Sequence, residues 1–136
     1  MVKPSRPASQ SASPPCPCGS GKSYPACCGR FHSGTPAPDA EALMRSRYSA
    51  YALGLEAYLL ATWHASTRPA SVLDAANPPR WIRLKVISHH ATDERATVHF
   101  IATCRIQGRA EHMEEVSRFV CESGRWFYVD GEVSSG

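Results

Sequence analysis

The chain has 136 residues, 43% of them hydrophobic and 20% charged, which is enough apolar material for one packed core and too much for wholesale disorder. Its formal net charge is +3. The four basic residues of positions 1–36 (Lys3, Arg6, Lys22 and Arg30) face no acid, whereas positions 37–136, with 11 basic and 12 acidic residues, are close to neutral.

Four charges over 36 residues fall below the density a nucleic-acid binder carries. The first residues lack the apolar run of a signal peptide, and no stretch approaches the ~18 apolar residues of a membrane span. The expectation is a cytoplasmic protein, where reducing conditions disfavour structural disulfides and turn clustered cysteines towards metal or redox chemistry.

In chain order, residues 1–15 are rich in Pro, Ser and Ala without periodicity, and they read as a disordered tail. "PCPCGSGKSYPACCGR", from Pro15 to Arg30, then places four of the six cysteines within thirteen residues. A linker from His32 to Pro38 contains Gly34, Pro36 and Pro38, so a boundary falls near residue 36. Residues 16–31 are expected to form a small knuckle and residues 37–133 a separate body.

The body opens with helical spacing of Leu43, Met44, Arg47, Tyr48, Tyr51 and Leu55, with Asp39 as the N-cap and Gly54 as the stop. A second helix is expected over Glu56 to His64, its first residue at the positive end of the dipole. "RPASVLDAANPPR" reads as a loop, because Pro78-Pro79 prevents regular hydrogen bonding. From Trp81 the period becomes two: Ile82, Leu84 and Val86 on one face, then Val98, Phe100, Ala102, Cys104 and Ile106 on one face. Gln107-Gly108 and Ser123-Gly124 supply turns that delimit strands near 113–121 and 126–129. Helices first and strands afterwards describe an α+β domain. Its bent antiparallel sheet would wrap two helices and leave a pocket between them.

The cysteine spacing, Cys16-x-Cys18 and then Cys27-Cys28, suits a metal. Zinc takes four soft ligands at tetrahedral corners, and two close pairs on a short loop can fold back to supply them. Gly19 and Gly21 permit the positive φ values of such a loop, and Lys22 and Arg30 lie near enough to offset the thiolate charge. A redox role for Cys27-Cys28 and three disulfide pairings are the competing chemistries. "GSGKS" does not make a phosphate loop: the pattern needs a Gly where Cys16 stands and a preceding strand where there is a Pro/Ser tail.

These residues resemble a known motif. Cys16, Cys18, Gly19, Ser20, Gly21, Lys22, Tyr24, Cys27, Cys28 and Gly29 fit position by position the SEC-C motif, found at the C-terminal end of the SecA export motor and in many bacterial proteins. That resemblance implies one bound zinc ion. "EALMRSRYSAYALG", "YLLATWHASTRP" and "SRFVCESGRWFYVDG" are similar to stretches of the YchJ-like family, small bacterial proteins with an N-terminal SEC-C motif. The family implies a cone-shaped α+β body resembling nuclear transport factor 2, without an established biochemical activity.

The polar residues expected to point into the cone are Arg45, Arg47, Tyr48, Trp63, His64, Glu115, Arg118, Trp126 and Asp130. Alternation places Trp126, Tyr128 and Asp130 on one face of the last strand, and Glu114, Val116 and Arg118 on one face of the strand before it. For Arg47, a buried ion pair with an acid such as Glu115 is the plainer reading than a substrate clamp. His89, His90 and His99 read as a solvated hairpin rather than a second metal site.

The expected function is that of a binding or adaptor module with a structural zinc held by Cys16, Cys18, Cys27 and Cys28. Lys22, Tyr24 and Arg30 would dock another protein, with nucleic acid or an anionic surface as the lesser expectation. The rival expectation is an enzyme acting on a small molecule in the cone.

Overall fold

A computed structural model describes residues 14–73 and 78–134. The tail expected over 1–15 lies outside the described residues except for Pro14 and Pro15. Pro15 pairs with Ser23, and the Pro14 carbonyl accepts from Tyr24 N–H at 2.9 Å, so these two belong to the knuckle.

Among the described residues, a 3₁₀ turn at Tyr24–Ala26 leads into α1 (Cys28–His32), followed by α2 (Ala40–Leu53), α3 (Glu56–Ala61) and four strands: β1 (Arg80–Thr92), β2 (Arg95–Ile106), β3 (Arg109–Glu122) and β4 (Arg125–Ser134). The strands form one antiparallel sheet in sequence order. The α+β architecture is the expected one. Among the described residues, no helix is long and apolar enough to cross a membrane.

Local chemistry sets the ends of α2. The Asp39 carboxylate accepts from Ala42 N–H at 2.8 Å, and Gly54 takes the left-handed conformation at φ 75°, which lets Leu55 N–H reach the Ala50 carbonyl. The second helix ends at Ala61, three residues before the expected His64. Its next backbone groups are taken by β4: Tyr128 N–H donates to Thr62 O, and His64 N–H donates to Tyr128 O. Glu56, expected at the dipole's positive end, also accepts from the Val72 and Leu73 amides and anchors the following loop.

The last two hairpins turn on Gln107-Gly108 and Ser123-Gly124, with positive φ at both positions as two-residue turns of primed type require. Three register shifts bend the sheet. In β1 the shift between Trp81 and Arg83 exposes Ile82 and turns Trp81 onto the Tyr48 and Tyr51 rings, so Ile82 is not on the inner face as expected. Ile106, the last of the alternating set on β2, is exposed at the sheet's end. The core joins Leu43, Met44 and Tyr48 of α2 to Leu84, Val98, Phe100 and Phe119 of the sheet. The four N-terminal cysteines belong to that same cluster.

Candidate metal centre

The loop that carries the cysteines is closed by its own backbone. Cys16 N–H donates to Lys22 O at 2.9 Å and Gly19 N–H to Cys16 O at 3.1 Å, while Gly19 and Gly21 sit at φ 80° and 88°, where a side chain would be strained. Ser20 Oγ lies 3.1 Å from Cys27 Sγ and also accepts from Lys22 N–H. The second pair of cysteines is delivered by the 3₁₀ turn and the start of α1. Gly29 lies so close under Tyr24 that an added methyl would meet the Tyr24 carbonyl at 2.8 Å and its ring at 3.1 Å.

As a result the Sγ atoms of Cys16, Cys18, Cys27 and Cys28 all lie within 4.8 Å of one another, and all four residues are buried. Tetrahedral zinc with Zn–S of ~2.3 Å sets its sulfurs about 3.8 Å apart, and Cys18 and Cys27 stand at 3.7 Å. The four residues can hold a metal ion, and the donor set fits a thiophilic one. Hydrogen bonds from the neighbouring thiols, that of Cys28 first, pull Cys18 down to about 4, whereas Cys28 is pushed far up by the bond it gives Cys18 and by burial. Crowded thiol protons of this kind are the ones a divalent cation displaces on binding.

The knuckle is tied to the body by polar contacts. Arg45 Nη1 donates to the Cys18 carbonyl at 3.2 Å, while its Nε pairs with Glu41 at 3.0 Å. Cys16 Sγ lies 3.5 Å from Ser49 Oγ. His32 Nε2 is 2.8 Å from the Ser46 carbonyl, so it carries the proton; Nδ1 then accepts from the Tyr24 hydroxyl at 2.5 Å. Burial, followed by the charges of Cys28 and Cys16, raises the Tyr24 phenol above its ordinary value and keeps it a donor.

Of the nine residues expected in the cone, the structure brings Arg47, Tyr48 and Glu115 together around a cavity of about 290 Å³ between α2 and the sheet. Arg45 instead serves the cysteine loop, because its position on α2 faces the knuckle. Trp63 stands beside Arg47 and stacks edge-on against Tyr128. His64 is not among the residues lining this cavity, and its Nε2 is 2.8 Å from Glu122. Trp126 lines a separate cavity of about 220 Å³ beside the 34–37 linker.

Arg118 and Asp130 form an exposed ion pair at 2.6 Å. In the register of β3 and β4, Arg118 faces Asp130 and Phe119 faces Tyr128, so Val129 is the extra residue of a bulge. That bulge reverses the alternation, and Asp130 leaves the face that Tyr128 occupies.

Arg47 does not form the expected direct pair with Glu115. Its Nη1 donates to Leu59 O at 2.8 Å and to Thr62 Oγ1 at 2.7 Å, and its guanidinium sits over the Trp63 and Tyr128 rings at 5.1 and 4.6 Å. Glu115 instead accepts from Ser117 Oγ and Tyr128 Oη. The three histidines of the first hairpin do not converge: His90 is exposed, His99 pairs with Glu114, and His89 faces Glu41 at 3.9 Å.

Residues 39–131 match the family model described as "YchJ, middle NTF2-like domain". The chain belongs to the YchJ-like family. It is 56% identical over 126 residues to a UPF0225 protein of Chromobacterium violaceum, covering 88% of this chain and 93% of that one. Identity to a UPF0225 protein of Methylibium petroleiphilum is 54% over 122 residues, covering 88% of each. Among solved structures, a SEC-C motif containing protein from Rhodopseudomonas palustris superposes with a TM-score of 0.77 at 36% identity, over 86% of this chain and 96% of that one. A second SEC-C motif containing protein, from Psychrobacter arcticus, gives 0.71 at 27% identity, over 89% and 83%. The SEC-C resemblance thus has its counterpart in the two solved structures, and the body resembling nuclear transport factor 2 in the matched family model.

Sequence reasoning missed several residues of this YchJ-like site. Ser49, one helical turn beyond Arg45 on α2, and His32, placed in the linker, both join the knuckle to the body. Ser117, by contrast, is readable from the alternation of β3 as a polar residue that could point inward, and it donates to the Glu115 carboxylate two residues away. Gly131 had no signal in the sequence. It lies against the Glu115 carboxylate, where an added methyl would collide.

Proposed function

We propose that Cys16, Cys18, Cys27 and Cys28 hold one structural zinc ion, and that the knuckle so formed is the fixed part of a protein-docking surface on the YchJ-like body. The observation that carries this reading is the convergence of four buried sulfurs within 4.8 Å. Four protein thiolates would fill a tetrahedral zinc and leave no position for water or substrate, so the metal's contribution is to folding and rigidity. Arg45, held at the Cys18 carbonyl, lies where its charge offsets the thiolates.

The docking residues divide by geometry. Tyr24 is engaged with His32 and packed on Gly29, so it supports the loop. Lys22 and Arg30 are exposed, and Arg30 is steadied by its bond to the Cys27 carbonyl and by Phe31 beneath it. An exposed Lys22 and a steadied Arg30 on the same short segment favour an acidic protein surface.

Elemental analysis of protein purified without added metal tests the first part: one zinc per chain is expected, and none in Cys18→Ser. Protein free of zinc, or a variant that keeps it, would overturn the reading. The docking surface is tested with Lys22→Glu combined with Arg30→Glu. The double variant should keep its zinc yet lose the protein that co-purifies with the unaltered chain.

A further inference from the structure

We infer that the cone cavity is a binding site for a small, uncharged aromatic molecule carrying one N–H donor. Its volume is about 290 Å³. A cavity of about 150 Å³ holds benzene, so a fused bicyclic ring fits this one. Tyr48, Tyr51, Trp81 and Phe100 line it and suit a flat ring, while the thioethers of Met44 and Met113 adapt to its outline.

The polarity of the cavity is concentrated at Glu115, which is only 7% exposed. Ser117 Oγ, at 2.5 Å, and Tyr128 Oη, at 3.1 Å, both donate to the same oxygen, Oε2. Oε1 therefore has no hydrogen-bond partner among the described residues. Among those residues the enclosed side-chain polar atom without a partner is His89 Nε2 and not Oε1, and the cavity is the space that Glu115 lines. A buried acceptor facing an apolar space is met by a donor on whatever fills that space.

Charge selects a neutral donor over a cation or an anion. Glu115 and Arg47 lie on the same cavity and balance each other, and the Arg47 guanidinium is already engaged by Leu59, Thr62 and two aromatic rings. A charged ligand would bring an unbalanced charge against a mostly apolar lining, which is costly. A neutral N–H gives Oε1 its missing partner without that cost.

Indole and benzofuran share a bicyclic outline, but indole alone carries an N–H. Titrated into the full chain by calorimetry, indole should bind about tenfold tighter, the ratio expected for one hydrogen bond to a charged acceptor. Indole-3-acetate should bind more weakly than indole. In Glu115→Gln the amide oxygen receives Ser117 and Tyr128 and the amide N–H₂ faces the cavity, so the preference for indole should vanish while benzofuran still binds. Met113→Trp, which fills the cavity, should lose both. No binding of indole, equal binding of both rings by the unaltered chain, tighter binding of the acid, or an unchanged preference in Glu115→Gln would each overturn the inference. The comparisons on the unaltered chain decide the matter even where a variant does not fold.

Discussion

The Arg45 guanidinium donates to the Cys18 carbonyl at 3.2 Å, so a residue of α2 steadies a loop 27 positions earlier in the chain. Its other side pairs with Glu41, one helical turn back, which holds the planar group in place. Supports of this kind around metal ligands are worth about 10- to 100-fold in metal affinity. Arg45→Met keeps the apolar stem and removes the donors. Loaded with zinc, the variant should give up the metal to a chromogenic chelator at roughly tenfold lower chelator concentration than the parent loaded in the same way. An unchanged competition curve would mean that Arg45 only decorates the loop.

The sulfurs of the knuckle pack in one cluster with Leu43, Met44, Tyr48 and Leu84. Withdrawing the metal should therefore loosen the body as well as the loop. We expect a chelator to lower the melting temperature by more than about 10 °C in a single transition. Several kcal/mol of metal binding, at a few degrees per kcal/mol for a domain of this size, gives that scale. Scanning calorimetry with and without chelator checks it. A body that melted at the same temperature without metal would show that knuckle and body fold separately.

Arg47 is 5% exposed, bonds to Leu59 O and Thr62 Oγ1, and lies over two aromatic rings. A Lys there could keep the charge but not the planar stack or the fork of donors. Arg47→Lys should accordingly destabilise by about 2–4 kcal/mol in urea unfolding, close to the cost of Arg47→Met, since either leaves buried groups poorly partnered. A near-neutral Lys variant would show that charge alone matters at this position. By contrast, Asp130→Asn, which breaks an exposed pair, should cost less than about 1 kcal/mol.

Burial holds His32 below the usual imidazole value, against the opposing pull of the Ser46 carbonyl. The unfolded chain then binds more protons than the folded one as acidity increases. His32 thus contributes stability that is present above about pH 6.5 and is lost as the pH falls through the lowered folded value. Gln at this position offers a donor and an acceptor without titrating. Between pH 7.5 and 5.5, the melting temperature of zinc-saturated His32→Gln should fall less than that of the parent. Parallel curves would assign the acid sensitivity elsewhere.

Much of this molecule follows from chemistry within a few residues. The Asp39 cap, the Gly54 stop and the Gln107-Gly108 and Ser123-Gly124 turns depend on a side chain or a φ value acting on its own neighbourhood, so they are readable without a fold. The cysteine cluster is of the same kind, because two pairs on a glycine-rich loop are brought together by the loop itself. The alternation of Val98, Phe100 and Ala102 likewise identifies an inner face wherever the strand is regular.

Tertiary structure alone decided what depended on a distant partner. The bulge at Val129 arises from the pairing of β3 with β4, and it separates Asp130 from Tyr128 although they stand two residues apart. The bulge at Ile82 likewise turns Trp81 inward against α2. α3 stops early because Tyr128 takes its backbone groups, and Arg45 serves the knuckle because α2 lies across it. Hydrogen bonds of this sort join residues far apart in sequence, so a local pattern records the donor or the acceptor and not which partner it will meet.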